Sequence, residues 1–369
     1  MTVFFLIILG IPIIIYATFI GYISLKVSGQ DSIEPLKEFP KVSILIPCRD
    51  EESNISKCLE SILKQTYDSS YFEVIVIDDF SSDTTIEIAN TYLDSLYLTV
   101  LSVKSGGKKL ALNAGIEKSK YPLILTLDAD CEVGEEWLSS MLAEFTNKNL
   151  KMLCGPVKLR TDSSVFSHLQ SAESAAIIGI SAVMLNAKKP CTCNGANMLY
   201  RKDIFFKIGG YGHQLHVSSG DDDLLMQRFY DFDFRTTRYT LNKKTFVYTS
   251  TCKGVIDFFK QRLRWASKSK LYFYLYNVFV QALVVAHLLA FWLSVYLLVF
   301  EQNWWFLILI GIKLTIDFIY SSKLNKIFNT KLYLVIIMPI YLMYSVLVLI
   351  LSNFIVPEWK GRPIKKKNR

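Results

Sequence analysis

Pro122-Leu123-Ile124-Leu125-Thr126-Leu127-Asp128-Ala129-Asp130-Cys131 decides how this chain is read. Leu123–Leu127 is a short apolar run behind a proline, long enough for one buried strand. It ends in two carboxylates separated by one residue. Acids just past the carboxyl end of a buried strand sit where open α/β sheets bind ligands. Two acids this close repel unless a cation or donor neutralises them. A magnesium-like ion that also holds a phosphate meets that need, because it takes one or two carboxylates plus phosphate oxygens. A solvated acidic turn explains the same five residues, so the neighbouring segments must decide.

Working outward, strand and helix patterns alternate. Val42–Ile46 reads as a strand ended by Pro47, and Ile55, Leu59, Ile62 and Leu63 give a helical period. Val74–Ile77 is a strand closing on Asp78-Asp79. Asp83–Leu93 is predicted helical, Leu98–Val103 a strand, Leu110–Glu117 a helix, and Glu135–Phe145 a helix after the opening motif. This alternation predicts βαβ units and a mostly parallel sheet. Three strands end on acids: Arg49-Asp50-Glu51, Asp78-Asp79 and Asp128-Ala129-Asp130. Three acidic ends in register point to a ligand crevice. Further on, Phe166–Leu185 is a long helix, Pro190–Lys202 reads as a loop, and Arg235–Tyr239 and Thr245–Thr249 read as strands. Asp221-Asp222-Asp223 stands at a helix start, where acids also serve as ordinary dipole partners.

The chain has 369 residues and is 51% hydrophobic, with a mean hydropathy of +0.29. The apolar excess is concentrated in Val3–Leu25, Phe273–Phe300, Trp304–Tyr320 and Leu332–Val356. Met1–Leu25 carries no charge and no small-residue cleavage site, which predicts a signal-anchor helix. Phe273–Phe300 and Leu332–Val356 are expected to span, the latter kinked at Pro339. Trp304–Tyr320 carries Lys313 and Asp317 four apart. Either charge alone costs about 2.5–3.5 kcal/mol at mid-bilayer, so the two are expected to pair with each other or to face protein. Three full crossings after a cytosolic block would export the basic tail against the positive-inside tendency. Trp304–Tyr320 is therefore expected to be re-entrant or interfacial. Val255–Lys270 is an amphipathic basic helix, expected in the membrane interface.

The organisation expected is an anchor (1–28), a cytosolic catalytic block (40–252), an interface helix (253–272), membrane helices (273–356) and a basic tail (357–369). Of the net charge of +8, five units come from that tail. A nucleic-acid surface is thus unsupported, and the tail suits anionic headgroups. Seven cysteines without regular spacing predict reduced thiols. Cys191-Thr192-Cys193 lacks a second ligand pair at zinc spacing.

Together these motifs resemble the membrane-bound family-2 glycosyltransferases, the group of hyaluronan, chitin, cellulose and poly-N-acetylglucosamine synthases and ceramide-glucosyltransferase-like enzymes. The resemblance runs from about Lys41 to Trp265. It implies a GT-A fold, Rossmann-like with a mostly parallel sheet, and a Mg²⁺ or Mn²⁺ cofactor. Pro47, Arg49 and Glu51 match the first nucleotide-contacting strand end, with Asp50 in place of the usual Asn. Asp78 and Asp79 match the uridine-binding Asp-Asp-Gly-Ser-x-Asp, with Phe80 in place of Gly. Gly107-Lys108-Lys109-Leu110-Ala111-Leu112-Asn113 resembles Gly-Lys-x-x-Ala-Leu-Asn and gives Lys108 a place near the nucleotide.

Asp128 and Asp130 match Asp-x-Asp, with Asp130 toward the metal and Asp128 toward the ribose or sharing the ion. Gly220-Asp221-Asp222 resembles the motif whose last acid is the base, which implies Asp222 or, with a one-residue slip, Asp221. Gln261-Arg262-Leu263-Arg264-Trp265 matches Gln-x-x-Arg-Trp, implying Arg264 on the diphosphate and Gln261 and Trp265 on the acceptor side. The implied activity is inverting transfer from a nucleotide-sugar, UDP-linked, to a glycan acceptor at the cell membrane by a multi-pass protein. Alternatives are a single-addition glycolipid transferase and an inactive nucleotide-binding subunit. The oligomeric state is open.

Overall fold

The computed structural model describes residues 2–363 except 31, 37, 104–105, 148, 213–219, 221, 268–273, 353, 356–357 and 360–361. The expected base alternative Asp221 and most of the basic tail lie outside the described residues. In chain order the first half runs α1 (Thr2–Lys26), β1 (Val42–Cys48), α2 (Ile55–Leu63), β2 (Phe72–Asp78), α3 (Thr85–Asn90), β3 (Leu98–Ser102), α4 (Lys108–Lys118), β4 (Leu123–Thr126), β5 (Glu132–Val133) and α5 (Trp137–Asn147). The centre continues with β6 (Met152–Cys154), β7 (Val157–Arg160), α6 (Val165–Asn186), β8 (Met198–Arg201), α7 (Lys202–Lys207), α8 (Asp223–Phe232), β9 (Thr237–Tyr239) and β10 (Val247–Ser250). Helices α9 (Val255–Ser267), α10 (Leu275–Val299), α11 (Phe306–Phe328), α12 (Leu334–Tyr341) and α13 (Met343–Leu351) follow.

The chain divides into two compact units. The sheet unit holds Gly29–Arg160 and Met184–Thr251, with Val356–Arg369 assigned to it. Its seven-stranded sheet has the order β3-β2-β1-β4-β8-β6-β9. β1 pairs in parallel with β2 on one side and β4 on the other. The order therefore reverses direction beside β1, which is where such sheets open a ligand crevice at their carboxyl edge. Register puts Cys48 opposite Asp78 and Leu45 opposite Thr126, so the three acidic strand ends share one edge.

β1 and β2 are buried on both faces, and their apolar run shows why: a parallel strand covered by helices has no solvent side. The polar exceptions are tied down, with Ser43 Oγ donating to Glu73 Oε1 at 2.6 Å. On one face α4 approaches so closely that a Cβ on Gly115 would meet Ile77 Cδ1 at 2.7 Å. A second small sheet, β5-β10-β7, backs the segment that follows Asp130.

Two expectations are corrected here. Pro47 does not end β1, which continues to Cys48. The β4 pairing stops at Leu45, so the missing Pro47 N–H breaks no bond to that neighbour. Pro190–Lys202 is not all loop: Met198–Arg201 forms β8, antiparallel to both β4 and β6. The sheet is mostly parallel but mixed.

The helical unit comprises Met1–Ser28, Thr161–Val183 and Cys252–Ile355. Thr161–Val183, within the expected 40–252 block, clusters with this unit. Thr2–Lys26, Tyr276–Val299 and Leu334–Leu351 are long and apolar enough to cross a membrane. α1 packs against α10 and α11. Tyr16 stacks on His287, with ring centroids 3.7 Å apart, and donates to Asp317 Oδ1 at 2.8 Å. Lys313 Nζ lies 2.6 Å from Asp317 Oδ2, so the two charges pair as expected.

The stretch expected to be re-entrant or interfacial, Trp304–Tyr320, is largely helical and is not among the segments long and apolar enough to cross a membrane. Phe306–Phe328 is one unbroken helix of 23 residues, about 34 Å long. In the last apolar stretch the helix is interrupted at Leu342, between α12 and α13 and three residues after Pro339. There the Trp292 indole donates to the Pro339 carbonyl at 3.3 Å.

Candidate active site

The loops that follow β1 and β2 are laced together by short polar side chains. Asp50, at φ 50°, accepts from the Ser82 N–H at 2.8 Å and from the Ser82 hydroxyl. Its own N–H donates to Ser81 Oγ at 3.0 Å, and the Glu51 N–H donates to Thr85 Oγ1 at 2.7 Å. The Ser82 backbone bond holds the Asp50 carboxyl below its ordinary range. An acid in place of Asn therefore serves this lacing. Arg49 sits beside Asp50.

Asp78 and Asp79 are both buried. Asp78 Oδ1 accepts from the Ser81 N–H at 3.1 Å, and Asp79 Oδ2 accepts from the Gly107 N–H at 2.9 Å. Phe80 between these loops has φ 63° and an exposed ring. The backbone is thus left-handed where the resemblance expects glycine, at a cost of about 1–2 kcal/mol for a residue with a Cβ. Glycine's larger unfolded-state entropy offsets about half of that. Phe80→Gly is accordingly expected to stabilise the protein by about 0.5–1 kcal/mol, and Phe80→Val to destabilise it. Thermal melts of the two variants check this, and equal shifts would overturn it.

Gly107 opens α4, whose first residue, Lys108, reaches the carboxyl edge of β4. Lys108 Nζ lies 2.6 Å from Asp128 Oδ1. Asp130 has no such partner: among the described residues its carboxylate accepts only from the Cys131 thiol, at 3.4 Å. Its backbone carbonyl is held by Thr249 Oγ1 at 3.2 Å, fastening the motif to β10. Water reaches the Asp130 side chain. Even so, the protein crowded around it, followed by the charges of Asp128 and Glu51, raises its pKa to about 6.

The buried Cys58 and Cys131 thiols beside it are pushed well above their ordinary value, by burial first and then by Asp130. Burial favours their protonated form in the metal-free protein. The pocket is short of positive charge at Asp130. Among the described residues no group of three or more His, Cys, Asp or Glu side chains converges. That combination fits a magnesium or manganese ion taking one or two carboxylates and completing its shell from phosphate and water.

Asp222 and Asp223 separate cleanly. Asp222 caps α8, its Oδ1 accepting from the Asp223 N–H at 2.7 Å, and it is partly accessible. Asp223 is fully buried; its Oδ1 accepts from Thr192 Oγ1 at 2.7 Å and from the Cys193 N–H at 2.8 Å. The Cys-Thr-Cys stretch thus anchors α8. Burial pushes the Cys191 thiol up to about 12.

Gln261, Arg264 and Trp265 lie on α9 in the helical unit. The residue between them with no role in the sequence reading, Arg262, is the most engaged. Its guanidinium lies 4.5 Å from the Phe258 ring centroid and 4.3 Å from that of Trp265. It pairs with Glu173 Oε2 at 2.7 Å, donates to Gln261 Oε1 at 2.7 Å and reaches the Tyr344 hydroxyl at 3.1 Å. Tyr341 and Tyr344 also donate to Glu173. The signal that could have found this cluster is Glu173, the only acid within the long weakly polar helix α6.

Residues 43–209 match the family described as Glycosyl transferase family 2. Glycosyltransferase AglE of Haloferax volcanii is 30% identical over 195 residues, 49% of this chain and 59% of that protein. The poly-beta-1,6-N-acetyl-D-glucosamine synthase of Staphylococcus epidermidis is 27% identical over 228 residues, 61% of this chain and 53% of that protein. The chain therefore spans little more than half the length of these relatives. Among solved structures, mannosyltransferase PcManGT from Pyrobaculum calidifontis, in complex with GDP-Man and Mn2+, superposes with a TM-score of 0.57 at 16% identity. The match covers 92% of this chain and 94% of that one, and shows a shared GT-A fold.

Proposed function

Since residues 43–209 match the family described as Glycosyl transferase family 2, we propose that the chain transfers a sugar from a UDP-sugar to an acceptor hydroxyl at the cell membrane, inverting the anomeric carbon. The observation that carries this reading is the uncompensated Asp130 carboxylate beside the Asp128–Lys108 pair, at the carboxyl edge of β4. Transfer breaks the bond from the sugar C1 to phosphate, and the electron pair leaves with the diphosphate. Asp130, with Asp128, would hold a Mg²⁺ or Mn²⁺ ion, which supplies positive charge to a diphosphate. Lys108 adds a fixed cation where charge develops. Arg49, Glu51, Asp78 and Asp79, with Pro47 at the strand end, shape the nucleotide side, and Arg264 is the second diphosphate cation.

The acceptor oxygen forms the new bond to C1 from the face opposite the diphosphate, and its proton passes to Asp222. A carboxylate is a weak base toward an alcohol. It suffices when the proton leaves late, once C1 has oxocarbenium character. The helical unit and its apolar helices keep the protein at the membrane as a multi-pass enzyme whose sheet unit faces the cytoplasm. The sequence leaves the acceptor open between a growing glycan and a lipid, and the transfer chemistry is common to both.

The test is turnover by purified membranes of a panel of radiolabelled UDP-sugars, with a defined α-linked donor used to read product stereochemistry. A β-linked product is expected. A retained α linkage, or no turnover of any UDP-sugar, would overturn the reading.

A further inference from the structure

Phe80 combines three properties that stability alone does not explain. Its backbone is left-handed, at φ 63°, in a residue that carries a Cβ. Its ring is 52% exposed and so adds little to the core. The loop around it is nevertheless fixed on both sides. The Asp79 N–H donates to the Cys48 carbonyl at 2.9 Å, and the Ser81 N–H donates to Asp78 Oδ1 at 3.1 Å. The Ser82 N–H and hydroxyl both donate to Asp50 Oδ1. A strained residue persists where its neighbours over-determine it, and such residues cluster at ligand sites. Among the described residues, the other exposed aromatic rings of the sheet unit stand elsewhere. Phe39 and Tyr97 precede β1 and β3, and Phe206 and Phe232 lie on α7 and α8. Of these rings, Phe80 alone follows the carboxyl end of a strand, at the edge where the sheet opens its crevice.

We propose that Phe80 is the stacking platform for the nucleobase of the donor. The inference rests on the nucleotide-sugar reading above and deepens it by naming a residue for the base. Position along the sheet selects the base over the other parts of the donor. Asp79 Oδ2 accepts from the Gly107 N–H, and the next residue, Lys108, pairs with Asp128. The ends of β2 and β4 thus border one crevice. β1 lies between them, so they stand two strand spacings apart, about 10 Å. The transferred sugar is bonded directly to phosphate and lies closer than that to a diphosphate held at Asp128 and Asp130. The base, one ribose further out, matches the separation. It also matches the chemistry. A flat heteroaromatic ring covers the exposed face of a phenylalanine while its polar edge stays free for hydrogen bonds. Every base has such a face, so Phe80 supplies affinity rather than a choice among bases. The fixed loop holds the ring in place before binding, which spares the cost of ordering it. Glycine here would relieve the backbone and leave the base without its support.

The test uses the full chain in nanodiscs with Mn²⁺ and two probes, UDP and inorganic diphosphate, whose dissociation constants are read by titration calorimetry. Phe80→Ala and Phe80→Gly should each weaken UDP binding by about 5- to 100-fold, the usual weight of one base–aromatic stack. Binding of inorganic diphosphate, which has no base, should stay at the wild-type value in both. Phe80→Tyr keeps the ring and should bind UDP as wild type does. Phe80→Gly is also expected to melt above wild type, so its loss of UDP affinity cannot come from unfolding. Equal UDP affinity in wild type, Phe80→Ala and Phe80→Gly would overturn the proposal and leave the ring a surface side chain with another partner. Parallel weakening of UDP and diphosphate would also overturn it, because the effect would then lie at the phosphates. Failure of wild type to bind UDP would instead remove the donor reading, and this inference falls with it.

Discussion

Replacing Asp130 by Asn is expected to abolish transfer while making the metal-free protein harder to melt. The carboxylate's pKa is raised to about 6, by the protein crowded around it and by Asp128 and Glu51. A raised acid pKa means the folded state prefers the neutral form. The penalty is absent below the unfolded pKa near 4, grows as pH rises through about 6, and is complete above it. A shift of this size corresponds to about 3 kcal/mol, which solvent screening of an accessible carboxylate reduces to about 1 kcal/mol. At pH 7.5 the Asn variant should therefore melt about 2–4 °C above wild type, and at pH 4.5 the two should converge. Activity moves the other way. Losing charge stabilisation of the leaving diphosphate costs on the order of 10³-fold in kcat. Added Mn²⁺ with UDP should raise the melting temperature of wild type and leave that of the variant unchanged. Equal melting at pH 7.5 together with an intact Mn²⁺ response in the variant would remove Asp130 from the metal site.

The strands that carry the crevice were legible because burial on both faces writes itself into composition. Val42–Cys48 and Phe72–Asp78 are nearly continuous apolar runs, and their carboxyl ends are marked by acids. β8 was not legible. Met198–Arg201 is four residues long, too short to show a period, and follows a glycine-containing stretch that reads as loop. Its antiparallel placement between β4 and β6 is a tertiary fact with no local signature. The same limit applies to the loops. Asp50 and Phe80 look in the sequence like departures from a pattern. In the fold both hold left-handed backbone angles, Asp50 bridging to Ser82 and Phe80 directing its ring outward.

In the helical unit, composition located the apolar segments but not their partners. The Lys313–Asp317 pair followed from helical spacing, because i and i+4 side chains meet on one face. The Glu173–Arg262–Tyr341–Tyr344 cluster joins residues separated by up to 171 positions, and no spacing rule reaches that far. Its consequence bears on the Gln-x-x-Arg-Trp stretch. Arg262 holds Gln261 by a hydrogen bond and Trp265 by stacking, so the motif's side chains are positioned through a residue the pattern leaves unspecified.

Two neighbouring acids give the sharpest separation of chemistry from architecture. Asp222→Asn should lower kcat by about 10²- to 10⁴-fold, the usual weight of a general base. The melting temperature and the donor KM should be unchanged, because an amide oxygen can still accept from the Asp223 N–H. Asp223→Ala should do the reverse. Asp223 Oδ1 accepts from Thr192 Oγ1 and from the Cys193 N–H. Truncation leaves a buried N–H and a hydroxyl without their acceptor, at a cost of about 1–3 kcal/mol. The melting temperature should fall by several degrees, and kcat per folded molecule should fall far less than in Asp222→Asn. Circular dichroism melts and initial rates with a fixed UDP-sugar measure both quantities. A tenfold or smaller loss of kcat in Asp222→Asn would remove it as the base. A kcat loss in Asp223→Ala as large as that of Asp222→Asn, with melting intact, would move the proton transfer one residue along the helix.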